Sequence, residues 1–136
     1  MTSELIRVVR RLKPRIIQYL PDPCTAKITF ESGVPANTDA YIDVEPPDGY
    51  NFAITKLVLT TPLDCTANVL LVGLDGTEVL LLSDWLDEDK RVVYSMGGID
   101  YEPLVLRKFR LLARTKVDIA EARSVLLNYS GGLIKE

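Results

Sequence analysis

The chain of 136 residues contains no histidine, only two cysteines and only one tryptophan. Histidine is the side chain that most often moves protons near neutral pH and most often binds transition metals. Neither a Ser-His-Asp nor a Cys-His catalytic arrangement can be assembled from this chain alone. We therefore predict that the protein is not an enzyme and that it carries no cofactor and no metal ion.

The two cysteines, Cys24 and Cys65, are too far apart in the sequence to form a CxxC redox motif or a zinc-ligand pair. A disulfide bridge between them is one possibility. We favour two buried free thiols, because free cysteine is among the most buried residue types.

The sequence also lacks a long hydrophobic run. No stretch approaches the roughly 18 consecutive apolar residues that a membrane span requires, so we predict no membrane span. The apolar positions near the N-terminus are interrupted by basic residues, and no hydrophobic segment of a secretory signal follows them. We expect the protein to be made and to fold in the cytoplasm of its host cell.

Charge is distributed unevenly between the first 15 residues and the rest. Residues 1–15 contain five Lys or Arg and one Glu, whereas the remaining residues contain eleven Lys or Arg and eighteen Asp or Glu. A basic arm therefore precedes an acidic body. Residues 1–20 are assigned to this arm, and residues 21–136 to a single folded domain.

The arm has the pattern of one short amphipathic helix. Ser3 is a suitable N-cap, and Pro14 ends or kinks the helix. A helix this short is unstable alone, so its apolar stripe must be buried against a partner, and we predict a second copy of the chain. The residues of this predicted interface are Leu5, Ile6, Val9 and Leu12.

The basic side of the arm allows two interpretations. Its residues are Arg7, Arg10, Arg11, Lys13 and Arg15. They could make weak, non-specific contacts with nucleic acid phosphates, since such contacts release counterions. They could equally be the solvated face of a helix that docks on protein. We favour docking, because no aromatic residue interleaves the charges to stack on bases.

From residue 21 onward the sequence reads as short β segments separated by turns. Pro46-Pro-Asp-Gly49 and Asp75-Gly76 are strong turn signals, and no helical window of 10–15 residues separates the strands. Such spacing predicts an all-β fold: an antiparallel β-sandwich of about eight strands, jelly-roll-like, preceded by the helix. We expect Gly131-Gly132 to close the last strand and the tail after it to be loose.

Two-residue alternation within the strands predicts the core. The break in parity between Ile54 and Leu57 predicts a bulge near Thr55 and Lys56. Leu106 and Phe109 cannot both point inward on a regular strand, and we choose Phe109 and Leu111, with Lys108 and Arg110 outside. The predicted core residues are Phe52, Ile54, Leu57, Leu59, Val69, Leu71, Val93, Leu104, Leu106, Phe109, Leu111, Val125 and Leu127.

Two groups of acidic residues are candidates for a site. The segment Ser83–Asp89, with Asp84, Asp87, Glu88 and Asp89, matches a calcium loop poorly because it lacks the required glycine, so we interpret it as a solvated loop. Asp43 and Glu45 point to one face of a strand, but we interpret them as ordinary exposed acids.

The segments 44–59, 106–115 and 124–132 together resemble small β-sandwich, jelly-roll-like structural proteins of virus and phage particles. The resemblance lies in a Pro-Gly turn that feeds a long strand, and in a late strand that ends in Tyr-Ser-Gly-Gly. It implies a structural, homo-oligomeric protein of the virion, in contact through the arm and the sandwich edges. The alternative is a glycan- or receptor-binding module that uses exposed aromatics, namely Tyr41, Tyr50, Trp85, Tyr94 or Tyr101.

Overall fold

The computed structural model describes residues 16–21, 24–82, 91–95 and 103–136, with the backbone alone for residues 81–82 and 91–95. This part of the chain is all-β and antiparallel, and no helix occurs in it. The predicted N-terminal helix lies outside the described residues. The strands are β1 (Gln18–Tyr19), β2 (Cys24–Phe30), β3 (Asp39–Val44), β4 (Tyr50–Thr60), β5 (Cys65–Gly73), β6 (Glu78–Leu82), β7 (Arg91–Ser95), β8 (Leu104–Thr115) and β9 (Arg123–Lys135).

Hydrogen bonds order the strands into two groups. In the β9 group the neighbours run β2, β9, β4 and β7, and the short β1 also pairs with β9, next to β2. In the β8 group the neighbours run β3, β8, β5 and β6. The first residues of β8 pair with β4, so the two groups form one hydrogen-bonded network.

Both predicted turns form: Asp75-Gly76 joins the paired strands β5 and β6 as a hairpin, and Pro46–Gly49 connects β3 to β4, which pair with different strands. Gly49 and Gly76 both have positive φ, 86° in each case, which glycine adopts without steric cost. The amide of Tyr50 donates to the carbonyl of Pro47, and the amide of Gly73 donates to that of Thr77. The Pro-Pro-Asp-Gly and Asp-Gly signals are therefore confirmed.

Two bulges change the face on which side chains lie. The pairing of β4 with β9 shifts between Ile54 and Lys56, which confirms the bulge that was predicted there. The pairing of β8 with β5 skips Arg107, because Val72 pairs with Lys108 and Gly73 pairs with Leu106. Since the extra residue reverses parity, Leu106 and Phe109 are both fully buried. The expectation that only one of them points inward was therefore wrong.

The core draws on both groups of strands. Twelve of the thirteen predicted core residues are buried in one cluster, and the thirteenth, Val93, has a side chain outside the described set. Phe52, Phe109 and Tyr129 contact one another in this cluster, with ring centroids 5.1 to 6.3 Å apart. Both cysteines are free: Cys65 is buried, and Cys24 is half-buried.

The last strand continues through its glycine pair. β9 runs to Lys135, and Leu133 is buried in the core, so the expectation of a loose tail after Gly132 was wrong. A Cβ on Gly131, whose φ is +144°, would overlap the carbonyl oxygen of Ala53. A Cβ on Gly132 would overlap the side chain of Ile16. These glycines therefore permit close approach of neighbouring backbone and side chains within the sheet.

Candidate functional site

The outer face of the β8 group, opposite the core, carries a ladder of ion pairs. Asp39 and Asp43 of β3 lie in register with Arg114 and Arg110 of β8, so each acid meets a base directly across the strand pair. The distance from a guanidinium nitrogen to a carboxylate oxygen is 3.0 Å for Asp39–Arg114 and 2.6 Å for Asp43–Arg110. Lys108 and Glu45 add a looser pair at 3.8 Å. We call these residues the β3–β8 ladder.

The pair at the centre of the ladder has the best geometry. Arg110 donates from Nε and Nη2 to the two carboxylate oxygens of Asp43, at 2.6 and 3.1 Å. This bidentate hydrogen bond holds the pKa of Asp43 below the ordinary value of an aspartate and raises the pKa of Arg110. The guanidinium carbon of Arg110 also lies 4.2 Å from the centroid of the Tyr41 ring, a cation–π contact.

Apolar side chains continue the same outer face toward β5 and β6. Arg110 is in register with Leu70, and Leu70 is in register with Leu80. Tyr41 is 61% exposed and Leu80 is 48% exposed. Together with Leu70 and the half-buried Leu112 they lie on one outer face, as an apolar patch around Arg110 of the β3–β8 ladder.

An open groove of about 610 Å³ crosses this face between β3 and β5. Tyr41 and Leu112 line it together with Thr66 and Asn68. The Oδ1 atom of Asn68 is inaccessible to solvent and has no hydrogen-bond partner. A second, more polar groove of about 490 Å³ lies at the β3–β4 turn, where Glu45, Asp48, Arg107, Lys108 and Glu136 contribute to its wall.

Most of the residues singled out from the sequence lie outside the described part of the chain. These are the arm residues Leu5, Ile6, Arg7, Val9, Arg10, Arg11, Leu12, Lys13 and Arg15, the acidic segment 84–89 with Trp85, and Tyr101. For Tyr94 the backbone alone is described. Their proposed contacts therefore stay predictions.

The two described tyrosines that were candidates for a glycan site do not form a row. Tyr41 lies on the outer face of the β8 group, and Arg110 covers one side of its ring. Tyr50 is half-buried and packs against the core. These positions give no support to a flat aromatic platform built from this pair.

Sequence reasoning placed Lys108 and Arg110 outside, and the structure agrees, but it missed their partners. Asp43 and Glu45 are exposed acids as expected, yet each is paired with a basic residue of β8. The sequence pattern that indicates these ion pairs is the two-residue spacing of acids on one strand and of bases on another. The ion pairs can be identified from this pattern only when the pairing of β3 with β8 is known.

In the portion of the chain that the structure describes, no cluster of three or more potential ligands could hold a metal ion. Within that same portion, no helix has the length and apolar character of a transmembrane helix.

No protein-family model matches the chain, and no curated protein matches it. Among solved structures, the chain is similar to the infectious bursal disease virus VP2 subviral particle, with 17% identity and a TM-score of 0.32, covering 86% of this chain and 31% of that chain. It is also similar to the Triatoma virus empty capsid, with 13% identity and a TM-score of 0.33, covering 100% of this chain and 92% of that chain.

The chain thus spans about a third of the length of the bursal disease virus protein that it matches. The structural neighbours are viral capsid proteins, and the weak resemblance to virus structural proteins that the sequence suggested is found again in three dimensions.

Proposed function

We propose that this chain is a non-enzymatic structural subunit that self-assembles in a virion, and that its fold is a jelly-roll sandwich. The observation that carries the proposal is the order of its strands. Apart from the β5–β6 hairpin, consecutive strands from β2 to β9 alternate between the two groups: β2, β4, β7 and β9 belong to the β9 group, and β3, β5, β6 and β8 belong to the β8 group.

Side-chain contacts support the packing of the two groups as two layers. Phe109 is paired in register with Val44 and Leu71 of the β8 group, whereas Tyr129 is paired with Cys24 and Leu57 of the β9 group. Their rings nevertheless touch, with centroids 5.1 Å apart. Contact between side chains that do not share a strand pair is what two sheets stacked face to face produce.

The order β2-β9-β4-β7 over β3-β8-β5-β6 is that of eight strands wound as a double-sheet jelly roll. Jelly rolls occur in viral capsid and lectin domains, among others. A fold hosts many functions, so the choice between these classes depends on the surface. Here the outer face of the β8 group presents paired acids and bases around exposed apolar side chains, which favours contact with protein.

A second copy of the chain fits this surface. In a two-fold contact the same patch faces itself, so charged groups can pair across the contact only if the patch carries both signs of charge. The β3–β8 ladder supplies both signs, because Asp43 and Arg110 lie side by side on this face. The apolar side chains of Tyr41 and Leu80 supply the area that leaves water on contact.

Light scattering at several protein concentrations tests self-assembly. Wild-type protein should form oligomers, and Leu80→Arg should shift them toward smaller species, since it places a charge in the patch. Val117→Arg is the matched control, because Val117 is also 48% exposed but lies in the β8–β9 loop. A wild-type chain that is strictly monomeric at high concentration would contradict the proposal, and so would equal effects of the two variants.

A further inference from the structure

Three neighbouring residues on the outer face of the β9 group and the start of β8 are shielded from solvent. Ala53 is in register with Gly132 on one side and with Val105 on the other. Ala53 and Val105 alternate with core residues along their strands, so their side chains point away from the core. Even so, Ala53 is 0% and Val105 is 1% exposed. We call Gly132, Ala53 and Val105 the small-residue row.

The first described residue lies directly on this row. A Cβ on Gly132 would overlap Cγ2 of Ile16, so the Ile16 side chain occupies the space above that glycine. The backbone there is fixed, because the amide of Ile17 donates to the carbonyl of Leu133 and that of Leu20 to the carbonyl of Gly131. The chain that precedes Ile16 therefore starts at one end of the small-residue row.

We propose that residues 1–15 of the same chain dock on the small-residue row and cover it. The row spans two strand spacings, about 10 Å. A helix over residues 3–12 would be about 15 Å long, and residues 13–15 can bridge about 10 Å. The arm thus reaches the whole row from its attachment at Ile16.

The chemistry of the two surfaces also fits. Small side chains on three adjacent strands leave a shallow depression, into which larger apolar side chains can pack. The arm offers Leu5, Ile6, Val9 and Leu12 at helical spacing. With that stripe on the sheet, the basic residues face solvent. Docking on the arm's own body differs from the docking on a second copy that the sequence suggested, and it does not depend on the proposed self-assembly.

Limited digestion with trypsin tests this proposal, because the arm contains its own cleavage sites. Cleavage after Arg10 and Arg11 would be followed by mass spectrometry. Docking should make this cleavage slow in the wild type, and Leu5→Asp should accelerate it about tenfold or more, because cleavage follows the population of the open arm. Thr2→Asp is the control, since it adds the same charge outside the stripe.

Val105→Asp tests the other surface, with Val117→Asp as its control. Val105→Asp should release the arm as Leu5→Asp does, and circular dichroism would show whether the body stays folded. If the body of Val105→Asp unfolds, the cleavage rate of Leu5→Asp alone tests the docking, since that change lies outside the sheet.

Dilution separates the same chain from a second copy. Protection of the arm should stay constant through about a hundredfold dilution, because an intrachain contact does not depend on concentration. Protection that disappears on dilution would mean that a second copy holds the arm, which overturns this inference but leaves self-assembly intact. Wild-type cleavage as fast as that of Leu5→Asp would overturn it as well.

Discussion

The ring of Tyr129 stands edge-on to that of Phe109, with centroids 5.1 Å apart and planes inclined by 76°. Phe52 contacts both rings, at 5.3 Å from Phe109 and 6.3 Å from Tyr129. Edge-to-face geometry is the arrangement that the charge distribution of aromatic rings favours. This cluster joins the central strands β8, β9 and β4, so its loss should lower the stability of the whole fold.

Truncation of Phe109 tests that role. Phe109 is fully buried, so Phe109→Ala should lower the free energy of unfolding by about 3–5 kcal/mol through lost burial and the cavity that remains. Lys108→Ala is the neighbouring control, and it should cost less than about 1 kcal/mol because its pair with Glu45 is solvent-exposed. Chemical denaturation would measure both, and equal small shifts would show that the register of β8 is wrong.

A side chain at Gly131 should be far more costly than one at a turn glycine. Gly131 and Gly76 both have positive φ, so alanine strains the backbone at either position. Gly76 has open space around a Cβ, and Gly76→Ala should cost about 1 kcal/mol. At Gly131 the Cβ would also overlap the carbonyl oxygen of Ala53, and Gly131→Ala should cost about 3 kcal/mol or more. Urea titrations that give the two variants the same stability would refute the close approach of β9 to β4.

The Asp43–Arg110 pair should make the stability of the wild type depend on pH in the acid range. Because the pKa of Asp43 is lowered in the folded state, the pair stabilises the protein above the unfolded pKa, near pH 4. That contribution should disappear as the pH falls through the lower folded value. The difference in thermal midpoint between wild type and Asp43→Asn should therefore shrink below about pH 4.

Asp48→Asn, in the β3–β4 turn, serves as the control for that measurement. It removes one carboxylate without touching the β3–β8 ladder. A difference between wild type and Asp43→Asn that stays constant from neutral pH to about pH 2 would argue against the ion pair.

The two thiols should differ in reactivity. Cys65 is buried, and desolvation followed by the charge of neighbouring Asp64 raises its pKa, which lowers the fraction of reactive thiolate. Cys24 is half-buried at the start of β2. Iodoacetamide under native conditions should modify Cys24 first and Cys65 only after denaturant is added, as mass spectrometry of the peptides would show. Equal labelling of the two would contradict the placement of Cys65.

Local alternation was enough to predict the strands and nearly all of the core, because inward and outward positions follow a two-residue period. It located the bulge near Thr55, since the parity of Ile54 and Leu57 differs on either side. The same kind of parity conflict lies between Leu106 and Phe109, where the chain inserts Arg107 as an extra residue and both side chains point inward.

Features that depend on a distant strand could not be predicted from local patterns. The roles of Asp43 and Gly131 are set by Arg110 and Ala53, residues that are remote in the sequence. Nothing in the local sequence says which strand will be adjacent. Gly131 therefore read as a strand end, and Asp43 as an unpaired acid.

The place of β9 in the sheet has a consequence for how the protein folds. β9 is the last described strand to be synthesised, yet β1, β2 and β4 all pair with it. Until it is available, β2 and β4 have no neighbour between them, and their edges and apolar faces are open to other chains. The sheet must therefore close late, over contacts of large sequence separation, so folding is expected to be slow. During this interval, association with other chains would compete with folding.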